Sequence, residues 1–246
     1  MKPLDLFSEA LWKFYRTGRA SLYTEREDGF RWPEDISWYF TPYREFPQYE
    51  RAALTSVRGR VLDLGCGAGR HSLYLQRHGL DVTACDASAS IAELARTRGV
   101  RHVRVVGACG RTPFDDSAFD TVLLFGNNLG ICGTRSRFRR MLRELHRITS
   151  KDGLLLATTR SPNAADPREL KYIQGNLARG RAEGQLRLRL VFEGQKSPWF
   201  HLLLLSPTDL LREANTQGWR VERVLSARKI EEGYAVVMQK EKRRKQ

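Results

Sequence analysis

Three glycines at alternate positions, Gly65, Gly67 and Gly69, lie between the apolar run Val61-Leu62-Asp63-Leu64 and a helical segment that begins at Arg70. Glycines at this spacing allow positive φ and close approach of the backbone to a ligand, and the first free N–H groups of the following helix face back toward the loop. Two acids flank it. Asp63 stands just before the turn, and Asp86 ends the next apolar run, 19 residues past Gly67. A carboxylate at Asp86 can accept from both hydroxyls of a ribose, so loop and acid together suit a nucleoside cofactor. The dinucleotide fingerprint G-x-G-x-x-G/A needs Gly or Ala at position 70, where this chain has Arg70. His71, at the start of the helix, is read as a local cap or a contact to the ligand's end.

Positioning these residues requires alternating strands and helices. The pattern predicts strand 61–64, helix 70–78, strand 81–85, helix 90–98, strands 102–106 and 119–125, helix 135–148 and strand 154–159, which means an α/β fold with a parallel sheet. Ser90 with Glu93 reads as a capping box for the second helix, and Gly99 as its stop. In helix 135–148, Phe138, Met141, Leu142, Leu145 and Ile148 mark the buried stripe, and the arginines between them read as a solvated face. Ligands of such sheets lie beyond the carboxyl ends of the strands, where the glycine loop, Asp86, Ala87, Ala108 and the 125–130 turn meet.

On these residues the chain resembles the class I S-adenosylmethionine-dependent methyltransferases, whose first motif is an acid, one residue, then G-x-G-x-G. Asp63 and Gly65 to Gly69 match it, and Asp86 matches the family's ribose-binding acid. The likeness continues through Pro113 to Asp120, strand 121–125, residues 153–159, 218–221 and 234–237, so it covers roughly residues 55–240. It implies a Rossmann-like sheet, mostly parallel with an antiparallel C-terminal strand. It also implies S-adenosylmethionine as cofactor, with S-adenosylhomocysteine as product, held by Asp63, Gly65, Cys66, Gly67, Gly69, Asp86, Ala87, Ala108, Cys109, Phe125 and Gly126. The chain departs from the family after the third strand, where many members carry an acid for the adenine amino group. Here the run is Val106-Gly107-Ala108-Cys109-Gly110, so adenine would rest on Ala108 and Cys109. Asn127 and Asn128 occupy the place where the family presents acceptor-binding groups, and His201 is the candidate base.

Two segments fall outside the core and would shape the acceptor pocket. Residues 1–54 hold more than half of the chain's aromatic residues and read as a lid of helices and a loop, offering Tyr39, Tyr43 and Arg44 to the cofactor carboxylate or the acceptor. Residues 161–206 are inserted into the 55–240 core. Within them, residues 185–192 alternate as a half-buried strand and residues 199–205 pair with it, making a β-hairpin cap that carries Trp199 and His201.

The net charge is +14, and Lys240, Lys242, Arg243, Arg244 and Lys245 against Glu241 place +4 of it at the end of the chain. Residues 241–246 are set apart as a basic tail. The four cysteines at 66, 85, 109 and 132 lack the spacing of a zinc or iron–sulfur site. Three of the four sit in or beside predicted strands and read as small buried hydrophobes in a reducing cytoplasm, and no metal is expected. The longest strongly apolar stretch, Leu202 to Leu205, is too short to span a bilayer, and the absence of a leader-like start predicts a soluble cytoplasmic protein. The implied function is methyl transfer to nitrogen, oxygen or carbon of a small or medium organic acceptor in an enclosed pocket, by a monomer or homodimer without membrane partners. The basic balance keeps RNA methylation as an alternative. The missing adenine-side acid keeps another, a non-catalytic cofactor-binding activator subunit.

Overall fold

The computed structural model describes residues 3–241, so residues 242–246 of the basic tail lie outside the described residues. The chain opens with α1 (Pro3–Thr17), the hairpin β1 (Leu22–Arg26) and β2 (Arg31–Glu34), two 3-10 turns (Ile36–Phe40 and Tyr43–Glu45) and α2 (Gln48–Leu54). The core then runs β3 (Arg60–Leu64), α3 (Arg70–Arg77), β4 (Asp81–Asp86), α4 (Ala89–Thr97), β5 (His102–Val105), β6 (Phe119–Leu124), α5 (Arg135–Ile148) and β7 (Thr149–Thr159). After it come α6 (Pro167–Ala178), β8 (Gln185–Phe192), β9 (Gln195–Lys196), β10 (Phe200–Leu203), α7 (Pro207–Thr216), β11 (Trp219–Ser226) and β12 (Tyr234–Lys240).

Seven strands form the central sheet in the order β11-β12-β7-β6-β3-β4-β5. β7, β6, β3, β4 and β5 are parallel, while β12 runs antiparallel to both β7 and β11. The strand interiors are continuous apolar runs because helices cover both faces. Leu62, Leu64, Val122 and Leu155 face α5, whose apolar stripe is fully buried as its spacing requires. Val61, Leu123 and Leu156 face α2 and α3. The chain leaves β3 toward β4 and β5, then returns to the other side of β3 at β6, so a crevice opens past the carboxyl ends of β3 and β6.

The helix α4 departs from its expected start. Ser88, not Ser90, is the N-cap and accepts from the Ile91 N–H. The Ser90 hydroxyl instead accepts from Ser8 and from the Trp12 indole, docking α1 on α4. Gly99 follows the C-cap Arg98 with φ +97°, as a helix stop demands.

The lid and cap segments join in a second, antiparallel sheet, β10-β8-β1-β2, with β9 folded back on β8. The expected hairpin is present, but the N-terminal segment also contributes a hairpin, turning at Asp28-Gly29, where sequence reasoning placed helices and a loop. Leu22, Thr24 and Arg26 point to the buried face, and β1 pairs with β8 through Leu22↔Phe192 to Arg26↔Leu188. Arg26 is almost wholly buried and is clamped by Asp28 and by Glu169 of α6. α1 lays Leu6, Ala10 and Leu11 against Leu22, Leu190 and Phe192 of this sheet and against Ile91 and Leu94 of α4. The same cluster includes Ala68 of the glycine loop, which brings the lid over the crevice.

Candidate active site

The loop between β3 and α3 is held from below by its backbone. The N–H groups of Gly65 and Cys66 both donate to the Cys85 carbonyl at the end of β4, 2.7 and 2.9 Å. Gly65 has φ +82°, and a Cβ there would lie 2.4 Å from the Asn128 amide nitrogen, so neither backbone nor space admits a side chain. Gly67 has φ +54°, and its Cβ position meets only the Tyr39 ring, at 3.6 Å, which leaves this edge of the loop clear for a ligand. Asp86 is 7% exposed; its carboxylate accepts from the Gly67 N–H at 3.2 Å and from the Ser88 N–H at 3.0 Å. Burial raises its pKa, and those two donors oppose the rise. Asp63 is also buried, accepts from the Ser72 hydroxyl at 2.6 Å, and has its pKa raised by burial against the lowering pull of His71 and Ser72.

These residues fit S-adenosylmethionine. Among the described residues Asp86 has no cationic partner and accepts only from backbone N–H groups, so lone pairs remain for a ribose diol. Ala87 lies 3.4 Å from the Cβ position of Gly107, so the turns after β4 and β5 converge where adenine would lie, beside half-buried Ala108. Phe125 and Gly126 follow β6, and the Cβ position of Gly126 lies 3.8 Å from the Trp38 ring. Burial, together with Asp63 and Asp86, pushes the Cys66 thiol well up; burial and Asp63 push Cys85 to about 12. Both are therefore inert thiols. Among the described residues no cluster of His, Cys, Asp and Glu could hold a metal.

The cysteine expectation needs correction. Cys66 and Cys85 are buried free thiols, but Cys109 and Cys132 form a disulfide. The turns past β5 and β6 reach the same end of the sheet, which brings the two Cα atoms to 5.4 Å, within disulfide range. Sequence spacing carries no trace of that meeting.

Other expected residues are placed differently from their assigned roles. His71 is not a cap: its Nε2 lies 3.1 Å from Glu50, and its ring meets the edges of Phe46 and Phe125. Asn128 donates to the Gly65 carbonyl at 2.9 Å, so its amide holds the loop. Asn127 takes φ +67°, donates its N–H to the Thr158 hydroxyl, and leaves its side-chain Oδ1 buried without a donor. Tyr39 lies over the loop, but Tyr43 stacks on Tyr74 at 4.1 Å and Arg44 is exposed beside Glu45. Trp199 packs with Arg187 and Arg189 on the cap sheet, and His201, exposed on β10, has its pKa lowered by burial, then by Arg181 and Arg187.

Sequence reasoning missed the group that fastens the lid. Glu50 of α2, 1% exposed, receives Arg70 at 2.8 Å as well as His71. The Arg70 guanidinium stacks on Trp38, 3.4 Å from the ring centroid, and donates to Thr41. Arg98 of the α4 C-cap adds a second tie, donating to the carbonyls of Ala68 and Tyr39. Arg70 was visible in the sequence only as a misfit to the dinucleotide fingerprint.

Residues 61–153 match the family model of a methyltransferase domain, and the fold is that of solved S-adenosylmethionine-dependent methyltransferases. The chain is 37% identical over 114 residues to the malonyl-(acyl-carrier protein) O-methyltransferase of Salmonella typhimurium, covering 44% of this chain and 43% of that one. With the glycine/sarcosine N-methyltransferase of Aphanothece halophytica it shares 28% identity over 141 residues, 54% of this chain and 53% of the relative. The chain thus spans about half the length of these curated relatives. In fold it matches a SAM-dependent methyltransferase from Bacteroides fragilis solved with S-adenosyl-L-homocysteine, with TM-score 0.83 and 22% identity over 98% of this chain and 97% of that one.

Proposed function

We propose that this chain transfers a methyl group from S-adenosylmethionine to nitrogen, oxygen or carbon of a small or medium organic acceptor held between the sheet ends and the aromatic lid. The observation that carries the reading is the pairing of the open edge at Gly67 with the cation-free carboxylate of Asp86, roofed by Tyr39. The cofactor supplies a sulfonium methyl whose carbon–sulfur pair returns to sulfur on transfer. Asp86 accepts from the ribose hydroxyls, Asp63 and the loop hold the remaining polar groups, and Ala87, Ala108 and the Cys109 turn flank adenine. Trp38 and Tyr39 exclude water and restrict the approach to one line, which is the largest service an enzyme gives an in-line displacement. Asn127 orients the acceptor. Asn128 acts through the loop it holds, and His201, with its lowered pKa, is the group by which proton removal is tested.

Six of the arginines that prompted the RNA alternative are held by acids, which favours the small acceptor. Arg135 and Arg139 bind Glu213, Arg147 binds Glu144 and Asp116, Arg181 and Arg187 bind Glu27, and Arg189 binds Glu25. No helix among the described residues is long and apolar enough to cross a membrane. A cytoplasmic monomer or homodimer remains part of the proposal, with the Cys109–Cys132 bond pulling against a reducing compartment. The test is release of S-adenosylhomocysteine by the isolated chain across a panel of small amines, alcohols and acids, with Asn127→Ala and His201→Ala alongside. Turnover that falls in Asn127→Ala supports the reading. Cofactor binding without turnover on any acceptor would favour the activator-subunit alternative.

A further inference from the structure

Among the described residues, the Arg160 cation and two buried oxygens, Asn127 Oδ1 and Thr159 Oγ1, are left without partners at the carboxyl ends of β6 and β7. Along β7, Leu154 and Leu156 face the α2 side and Leu155 and Ala157 the α5 side. Thr158 and Arg160 continue the first series, so Arg160 leaves the sheet on the face that carries Phe46, Tyr49 and the lid. β6 and β7 pair in parallel through Leu123↔Leu156 and Leu124↔Ala157, and past the end of β6 the Asn127 N–H donates to the Thr158 hydroxyl, which shares its face of β7 with Arg160 two residues on, so Asn127 and Arg160 lie on the same side of the sheet end. Burial raises the phenols of Tyr39 and Tyr49, and the Arg160 charge among others opposes that rise, in keeping with a guanidinium on the lid side of the sheet.

Three acids of the lid are already engaged. Glu50 holds Arg70 and His71, Glu34 accepts from Thr24 and Trp32, and Asp35 accepts from Ser37. Half-buried Arg160 has no carboxylate partner among the described residues, and the buried Oδ1 of Asn127 has no donor. A cation and a carbonyl oxygen in this arrangement complement an anion that also carries an N–H or O–H.

We propose that Arg160 and Asn127 form the acceptor subsite and that the acceptor is a small carboxylate: Arg160 holds the carboxylate while the Asn127 carbonyl accepts from the nucleophilic N–H or O–H. This rests on the methyltransferase reading above. One guanidinium fork matches one carboxylate in charge and shape, whereas a phosphate dianion would need a second free cation, and Arg70 is neutralised by Glu50. The subsite also lies on the far side of β6 from the ribose site. β7 is three strand spacings from β4, about 14 Å at the usual separation.

The experiment is calorimetric titration of the S-adenosylhomocysteine-loaded protein with glycolate, its neutral amide glycolamide, and inorganic phosphate, in the wild type, Arg160→Gln and Arg160→Lys. Glycolate should bind saturably and about tenfold or more tighter than glycolamide or phosphate. Arg160→Gln should lose that margin, Arg160→Lys should keep part of it, and both should bind S-adenosylhomocysteine within about twofold of wild type, which also shows that they fold. Equal binding of glycolate and glycolamide, no glycolate binding, a preference for phosphate, or a loss of S-adenosylhomocysteine affinity in Arg160→Gln would each overturn the assignment. Failure of the wild type to bind S-adenosylhomocysteine would bring down the methyltransferase reading itself, a result separable from all of these.

Discussion

Asn128 shows how a residue of the right type in the right place can serve a different end. Its position after β6 suggests acceptor binding, yet its amide is spent on the Gly65 carbonyl, and Gly65 must be glycine partly because that amide occupies the space. Asn128→Ala should therefore weaken S-adenosylhomocysteine binding by about 1 kcal/mol, roughly fivefold, through a loosened loop. Isothermal titration would show it, and unchanged affinity with reduced turnover would restore the acceptor role. The buried acids bear on pH. Burial raises the pKa of Asp86, so its carboxylate protonates at higher pH than a free one. The affinity for the ribose diol should fall on acidification before pH reaches the ordinary carboxylate range, and Asp86→Asn should flatten that dependence.

At the scale of elements, two ion pairs fasten what the sheet alone does not. Glu50 joins α2 to α3 through Arg70 and His71 under nearly complete burial. Glu50→Ala leaves a buried guanidinium uncompensated and should cost about 3–5 kcal/mol, measured by urea unfolding. Glu144 of α5 accepts from Arg147 and from Thr112, and its pKa drops to about 2 because these donors outweigh burial. A carboxylate with a lowered folded pKa stabilises fully above its unfolded value and loses that contribution as pH falls toward the folded one. The wild type should thus lose about 2–3 kcal/mol between pH 5 and 2 that Glu144→Gln never had, seen in parallel urea titrations. The alternating core elements were legible because each needs only its own periodicity and caps. β1 was not, since its few residues become a strand only by pairing with β8, which lies most of the chain away, and Glu50 gains meaning only once α2 meets α3.

Over the whole molecule, the lid and the inserted cap are one structure. Strands from both close a single sheet, α1 joins that sheet to α4, and Arg98 and Glu50 tie it to the glycine loop and α3. The loop past β6 belongs to the same body: Gly130 and Gly133 pack so closely on Leu203 and His201 of β10 that neither position has room for a side chain. Cys132 of that loop is bonded to Cys109 in the turn after β5, so the unfolded, unreduced chain should titrate two thiols with Ellman's reagent and four after reduction. A ligand seated at Asp86 and Gly67 therefore contacts parts that hold one another, and binding should stabilise the fold as a unit. The most direct measurement is the thermal unfolding midpoint with and without S-adenosylhomocysteine, in the wild type and in Asp86→Ala. At about a hundredfold excess over the dissociation constant, linkage gives roughly 2.7 kcal/mol, or about 5 to 10 °C for a domain of this size. The expected result is such a rise in the wild type and its loss in Asp86→Ala; no rise at millimolar ligand, or an equal rise in both, would contradict the cofactor site described above.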